Sequence, residues 1–117
     1  MKQNVRAAVA AMAIGHAGKR NISSVYDYKA GRHVNVSVTV HGDRLDGYDY
    51  ENSCHFGGTL PSAYHYGEGA HIELKSNGGG KYGGYDYGDR CHFEVTVNGK
   101  NAEIYDYGDS GFFSYSS

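Results

Sequence analysis

The sequence predicts a mainly β protein: a repetitive antiparallel meander of about ten short strands, closed as a barrel or folded as a sandwich, with one N-terminal α-helix. Three observations carry this reading. A Tyr-Asp-Tyr phrase (Tyr-His-Tyr in the third copy) starts at Tyr26, Tyr48, Tyr64, Tyr85 and Tyr105, with spacings of 22, 16, 21 and 20 residues, the mark of a repeated supersecondary unit. Eight places after the first Tyr of each copy stands an apolar residue: Val34, Phe56, Ile72, Phe93 and Phe113. A composition of 18 Gly and 12 Tyr with one Pro and no Trp suits strands and tight turns better than helices.

The 117 residues read as one domain, 1–117, made of a helix over 1–20 and five hairpin repeats over 22–117. In residues 2–17, KQNVRAAVAAMAIGHA, the positions Val5, Val9, Met12 and His16 share one helix face, and Gly18 can stop the helix. The expectation is an amphipathic helix docked over an apolar opening of the β-domain. A targeting segment is the competing reading, since Lys2 and Arg6 precede the apolar stretch Ala7–Ile14. That stretch is short and lacks Leu. No apolar run approaches the roughly 20 residues of a membrane-spanning helix, so the chain reads as soluble.

From Ile22 the period changes to two. Val34, Val36, Val38 and Val40 lie on one face of a strand, and Asn77-Gly78 and Asn98-Gly99 are hairpin signals. Repeat two meets Gly57, Gly58 and Pro61, so its second strand is expected to be short, bent or at an edge. Lys29-Ala30-Gly31 and Gly67-Glu68-Gly69 fit three-residue loops with a left-handed Gly. In that register both tyrosines and the apolar residue share the core face. The opposite face then carries the pairs Asp27/His33, Asp49/His55, His65/His71, Asp86/His92 and Asp106/Phe112. A four-residue loop would exchange the two faces.

Charge is uneven. Lys2, Arg6, Lys19 and Arg20 give residues 1–24 a charge of +4, whereas 25–117 hold seven bases against thirteen acids, or −6. A positive segment docked on its own negative body accounts for this, and four bases without interleaved aromatic residues argue against nucleic acid. Cys54 and Cys91 occupy the same repeat position but lie four strand steps apart in a meander, about 19 Å at 4.8 Å per step. That is too far for a disulfide, so two free thiols are expected.

Candidate binding residues are the Asp/His row, Asp27, His33, Asp49, His55, His65, His71, Asp86 and His92, because carboxylate and imidazole serve as metal ligands and proton-transfer partners. Tyr82 joins them as the tyrosine outside the repeated pairs. Repetition favours cross-strand pairing over one supported catalytic constellation. No P-loop, EF-hand or Gly-x-Ser-x-Gly pattern is present, and no catalytic residue, metal ligand set or cofactor is assigned. The sequence points to a non-catalytic structural or binding module for a carbohydrate or other polar ligand. Two alternatives are a self-assembling coat or matrix protein joined through sheet edges, and a small metal-dependent or Asp/His enzyme.

Overall fold

A computed structural model describes residues 1–117. One helix, α1 (Gln3–Gly18), is followed by eleven strands: β1 (Val25–Asp27), β2 (Arg32–Val34), β3 (Val36–His41), β4 (Arg44–Asp49), β5 (Cys54–Thr59), β6 (Ser62–His65), β7 (Ala70–Gly78), β8 (Lys81–Asp86), β9 (Cys91–Asn98), β10 (Asn101–Asp106) and β11 (Gly111–Ser116). All strand pairs are antiparallel, in the order β2-β1-β11-β10-β9-β8-β7-β6-β5-β4-β3.

The two ends of that order, β2 and β3, are consecutive in the chain. The valine-rich run changes partner at Asn35, pairing with β1 before it (Val25 opposite Val34) and with β4 after it (Val36 opposite Asp49). Ile22 continues the ladder on the β1 side, exchanging two 2.9 Å backbone hydrogen bonds with Val38. Counted as one stave, β2 and β3 make ten staves in a nearly closed barrel. The second strand of repeat two, β5, is paired on both sides rather than at an edge, and Pro61 falls in the turn after it.

The helix fills this barrel. Every residue from Val5 to Gly15 is buried, and α1 lies against β1, β3, β4, β9 and β10. Its side chains also reach Glu68, between β6 and β7, and Tyr82 on β8. Protein therefore surrounds it. An amphipathic surface helix would leave one face in water; a helix apolar on all sides is what an interior position requires. A ten-stave lumen is only slightly wider than that of an eight-strand barrel, which side chains alone fill. It admits a helix only if the helix is thin, and Ala7, Ala8, Ala10, Ala11 and Ala13 provide that, each essentially inaccessible.

The wall makes room in the same way. Gly47 lies opposite Phe56 and Gly84 opposite Phe93, and a Cβ at either glycine would fall 2.3 Å from the facing ring. With Leu45, Ile72, Leu74, Val95, Ile104 and Tyr115, these rings and α1 form one core.

The turns correct the expected register. Asp27 pairs with Arg32 and Tyr26 with His33, which leaves the four-residue loop Tyr28-Lys29-Ala30-Gly31; the other repeats behave alike. The fourth loop residue is left-handed in every copy: Gly31, Ser53, Gly69, Arg90 and Ser110. With four loop residues the faces exchange. Asp27, Asp49, Asp86 and Asp106 point inward, and the tyrosines and histidines beside them point outward. The tyrosine pairs are thus not the core, and the expected Asp/His pairs do not form.

Burying four carboxylates requires partners. Each aspartate accepts backbone N–H bonds from the second and third residues after it, as Asp27 does from Lys29 and Ala30 at 3.0 Å and Asp106 from Gly108 and Asp109 at 2.9 and 3.3 Å. The N-terminal end of α1 supplies counter-charge to Asp106 and to the turn carboxylates Asp89 and Asp109, whereas Asp27 and Asp49 add the side-chain amides of Gln3 and Asn52. The Met1 amino group lies 3.0 Å from Asp106, and Arg6 lies 3.2 Å from Asp106 and 2.9 Å from Asp109. Lys2 lies 3.0 Å from Asp89. The positive end of the helix dipole faces the same ring.

Two predictions follow from this packing. Ala10→Leu overfills the lumen and lowers unfolding free energy by about 1–3 kcal/mol in urea; an unchanged or higher midpoint would place the helix outside. For Asp106, burial raises the carboxyl pKa, but the Met1 ammonium and the turn N–H groups outweigh it and hold the group below its ordinary value. A depressed folded pKa contributes stability that is full above the unfolded value and is lost as pH falls through the folded one. Asp106→Asn should therefore cost about 3 kcal/mol at neutral pH, the low end for breaking a buried pair because Asp109 stays on Arg6. The gap to wild type should close below about pH 4. A gap independent of pH contradicts the assignment.

Candidate functional site

The turn geometry that buries Asp pushes aromatic rings out. On the outer wall each repeat builds a cluster of three: Tyr26 with Tyr28 and His33, Tyr48 with Tyr50 and His55, Tyr64 with Tyr66 and His71, Tyr85 with Tyr87 and His92, and Tyr105 with Tyr107 and Phe112. All five are edge-to-face, with centroids 4.7–4.9 Å apart. The pleat puts Tyr26 directly across from His33, and the loop folds Tyr28 back over Tyr26. Such contacts are worth about 0.5–1.5 kcal/mol each beyond burial, so the rings hold one another in place.

The belt is exposed. Tyr28, Tyr50, Tyr66, Tyr87 and Tyr107 retain 51–66% of their accessible surface and Phe112 retains 62%. Neighbouring hairpins interlock, because the Tyr66, Tyr87 and Tyr107 amides donate to the carbonyls of His55, His71 and His92. Between each such histidine and tyrosine the surface opens into a groove. The largest, about 740 Å³, runs from Tyr66 and His55 past Arg44, Asp46, Ser53 and Thr59. Its floor is low because Gly57 and Gly58 carry no side chain. Grooves of about 360 Å³ repeat it at His71 and Tyr87, beside Glu73, and at His92 and Tyr107, beside Glu94. The Tyr107 hydroxyl donates to Glu94 at 3.2 Å, and that hydrogen bond raises its pKa.

The residues singled out in the sequence therefore divide by face. His33, His55, His71 and His92 are exposed on the belt, while Asp27, Asp49, Asp86 and His65 are buried inside. His65 and His71 stand on opposite faces and cannot share a ligand. Tyr82 is not free: it is 3% exposed, its hydroxyl lies 2.7 Å from His16 Nδ1, and burial with the nearby Asp43 carboxylate raises its pKa to about 12. Sequence reasoning placed all ten repeat tyrosines in the core; they face outward, and among them Tyr66, Tyr87 and Tyr107 line the grooves. Counting four residues between Asp27 and Arg32, instead of three beginning at Lys29, is the signal that finds them.

Inside the barrel one cluster has metal-binding chemistry. Asp49, Cys54 and His65 each offer a ligand atom, all within 4.8 Å of one another. Burial and the Asp49 carboxylate push the Cys54 thiol up, and burial pushes the His65 imidazole down, keeping it neutral. Cys54 and Cys91 are both free thiols.

The chain matches no protein-family model, no curated protein and no solved structure.

Proposed function

We propose that the protein is a non-catalytic binding module that takes a carbohydrate chain on its outer aromatic belt. The observation that carries this reading is the recurrence of the same His-and-Tyr groove between successive hairpins. A tyrosine ring gives an apolar face for the C–H side of a pyranose and a hydroxyl for its rim. The charged groups beside the grooves, Arg44, Asp46, Glu73 and Glu94, suit sugar hydroxyls. Successive grooves are two staves apart, roughly 10 Å, about the length of two linked pyranose rings. A repeating polymer can then occupy several weak sites together and gain avidity without any deep pocket.

Affinity electrophoresis through gels containing a neutral β-glucan, an α-glucan or a xylan tests this. Retardation is expected in at least one gel, reduced several-fold in a Tyr66→Ser, Tyr87→Ser double variant and unchanged in Tyr82→Phe, whose ring is internal. Free migration of the wild type in all three, or equal retardation of the double variant, contradicts the reading.

Phe112 favours a second reading, a self-assembling coat or matrix unit, since it puts an exposed apolar ring where the other repeats carry His. Such contacts would use the belt, because the sheet ends β2 and β3 are joined to each other. A sedimentation mass that grows with concentration, and stops doing so in Phe112→Ser, distinguishes it. The expected cross-strand pairs Asp27/His33, Asp49/His55 and Asp86/His92 are divided between the two faces of the wall and give an enzyme reading no support.

A further inference from the structure

The strand register sets an Asp–Cys pair beside the inward residue of the next hairpin twice inside the barrel, a socket that brings three donor atoms within 4.8 Å in one copy, at Asp49, Cys54 and His65. At the β8–β9–β10 copy, Asp86 pairs with Cys91 and Phe93 pairs with Asp106. At the β4–β5–β6 copy, Asp49 pairs with Cys54 and Phe56 pairs with His65. Gly108 and Gly67 crowd the two sulfurs alike, a Cβ there falling 3.0 Å from Cys91 Sγ and 2.6 Å from Cys54 Sγ. In the first copy the socket holds a cation: the Met1 amino group lies 3.0 Å from Asp106 and 3.7 Å from Cys91 Sγ. In the second copy a histidine replaces the aspartate and no cationic group of the chain enters.

That histidine is under-used. His65 is wholly inaccessible and stacks on Phe56, and Nδ1 accepts the Glu68 N–H at 3.2 Å, whereas Nε2 is buried without a partner. Asp49 is already oriented, since Asn52 Nδ2 donates to its Oδ2 at 2.8 Å. A cavity of about 440 Å³ lined by Asn4, Asp49, Asn52 and Glu68 opens onto this end of the barrel and provides a route inward.

We propose that Asp49, Cys54 and His65 bind one divalent transition-metal ion of the zinc class. Thiolate, imidazole and carboxylate are the donor set such ions favour, and three protein ligands leave a fourth position for water. Tetrahedral coordination places donors roughly 3.3–3.8 Å apart. The cluster at up to 4.8 Å therefore closes by about 1 Å on binding. The metal takes the place that an ammonium holds in the sister socket; Cys54 gives up its proton to solvent as it ligates, and His65 ligates through Nε2 by shifting its ring proton to Nδ1, which gives up the 3.2 Å contact with the Glu68 N–H.

Cobalt titration of the reduced, chelator-treated full chain tests this directly. One equivalent of Co²⁺ should produce a thiolate charge-transfer band, displaced by Zn²⁺. Cys54→Ser should abolish the band, Cys91→Ser should keep it, and His65→Ala should weaken affinity at least about ten-fold. Because a core variant can lose its fold, Zn²⁺ protection of the wild type is measured alongside: Zn²⁺ should slow alkylation of Cys54, mapped by mass spectrometry, and leave Cys91 unaffected. Absence of the band, its survival in folded Cys54→Ser, or a Cys54 alkylation rate indifferent to Zn²⁺ overturns the proposal.

Discussion

A ten-stave barrel has a lumen too wide for its own side chains to close and too narrow for an ordinary helix, and the rest of the molecule answers to that constraint. Five alanines from Ala7 to Ala13 thin the helix until it fits. Gly47 and Gly84 thin the wall where Phe56 and Phe93 turn inward. At one end the helix presents Met1 and Arg6 to Asp106; at the other, His16 bridges Tyr82 and Asp43 at 2.7 and 2.8 Å. The helix is thus the core of the domain and is fixed at both ends.

The same economy of space links turn chemistry to surface. A four-residue loop with an inward aspartate satisfies two turn N–H groups from inside the barrel, and the pleat then sends the flanking tyrosines to water. An exposed ring is costly alone, and the edge-to-face partners, two tyrosines and a histidine or phenylalanine, recover part of that cost while ordering the surface. The belt follows from capping each turn with Asp, and the grooves follow from placing one belt cluster beside the next. Only Tyr64-His65-Tyr66 breaks the pattern: His65 stands in the aspartate's place and caps the turn through Nδ1, leaving Nε2 buried without a partner.

Much of this was legible in the sequence. The five Tyr phrases, the apolar residue eight places on and the Asn-Gly turns suffice for an antiparallel meander, and the spacing of Cys54 and Cys91 suffices to keep the thiols apart. The face assignment was not, because loops of three and four residues both end on a left-handed Gly at Gly31 and Gly69, and hydropathy alone favours burying Tyr over Asp. The inward aspartates are held by turn N–H groups, and Asp106 also by the Met1 and Arg6 cations, none of which hydropathy weighs. Likewise, Val5, Val9 and Met12 trace a helical stripe, but the alanines between them read equally well as an indifferent face or as a helix with no outside. For the candidate site, the sequence reading sets the whole Asp/His row on the outer face; His33, His55, His71 and His92 lie there, Asp27, Asp49, Asp86 and His65 are buried, and the tyrosine partners across the grooves depend on the register.

Hydrogen exchange resolved by mass spectrometry tests the central claim, that α1 is enclosed by the barrel, most directly. If the helix is the core, the amides of residues 5–15 exchange only through global unfolding and are as protected as those of β9 and β10. Exchange of that segment at the rate of a surface helix, while the strands stay protected, would contradict the account.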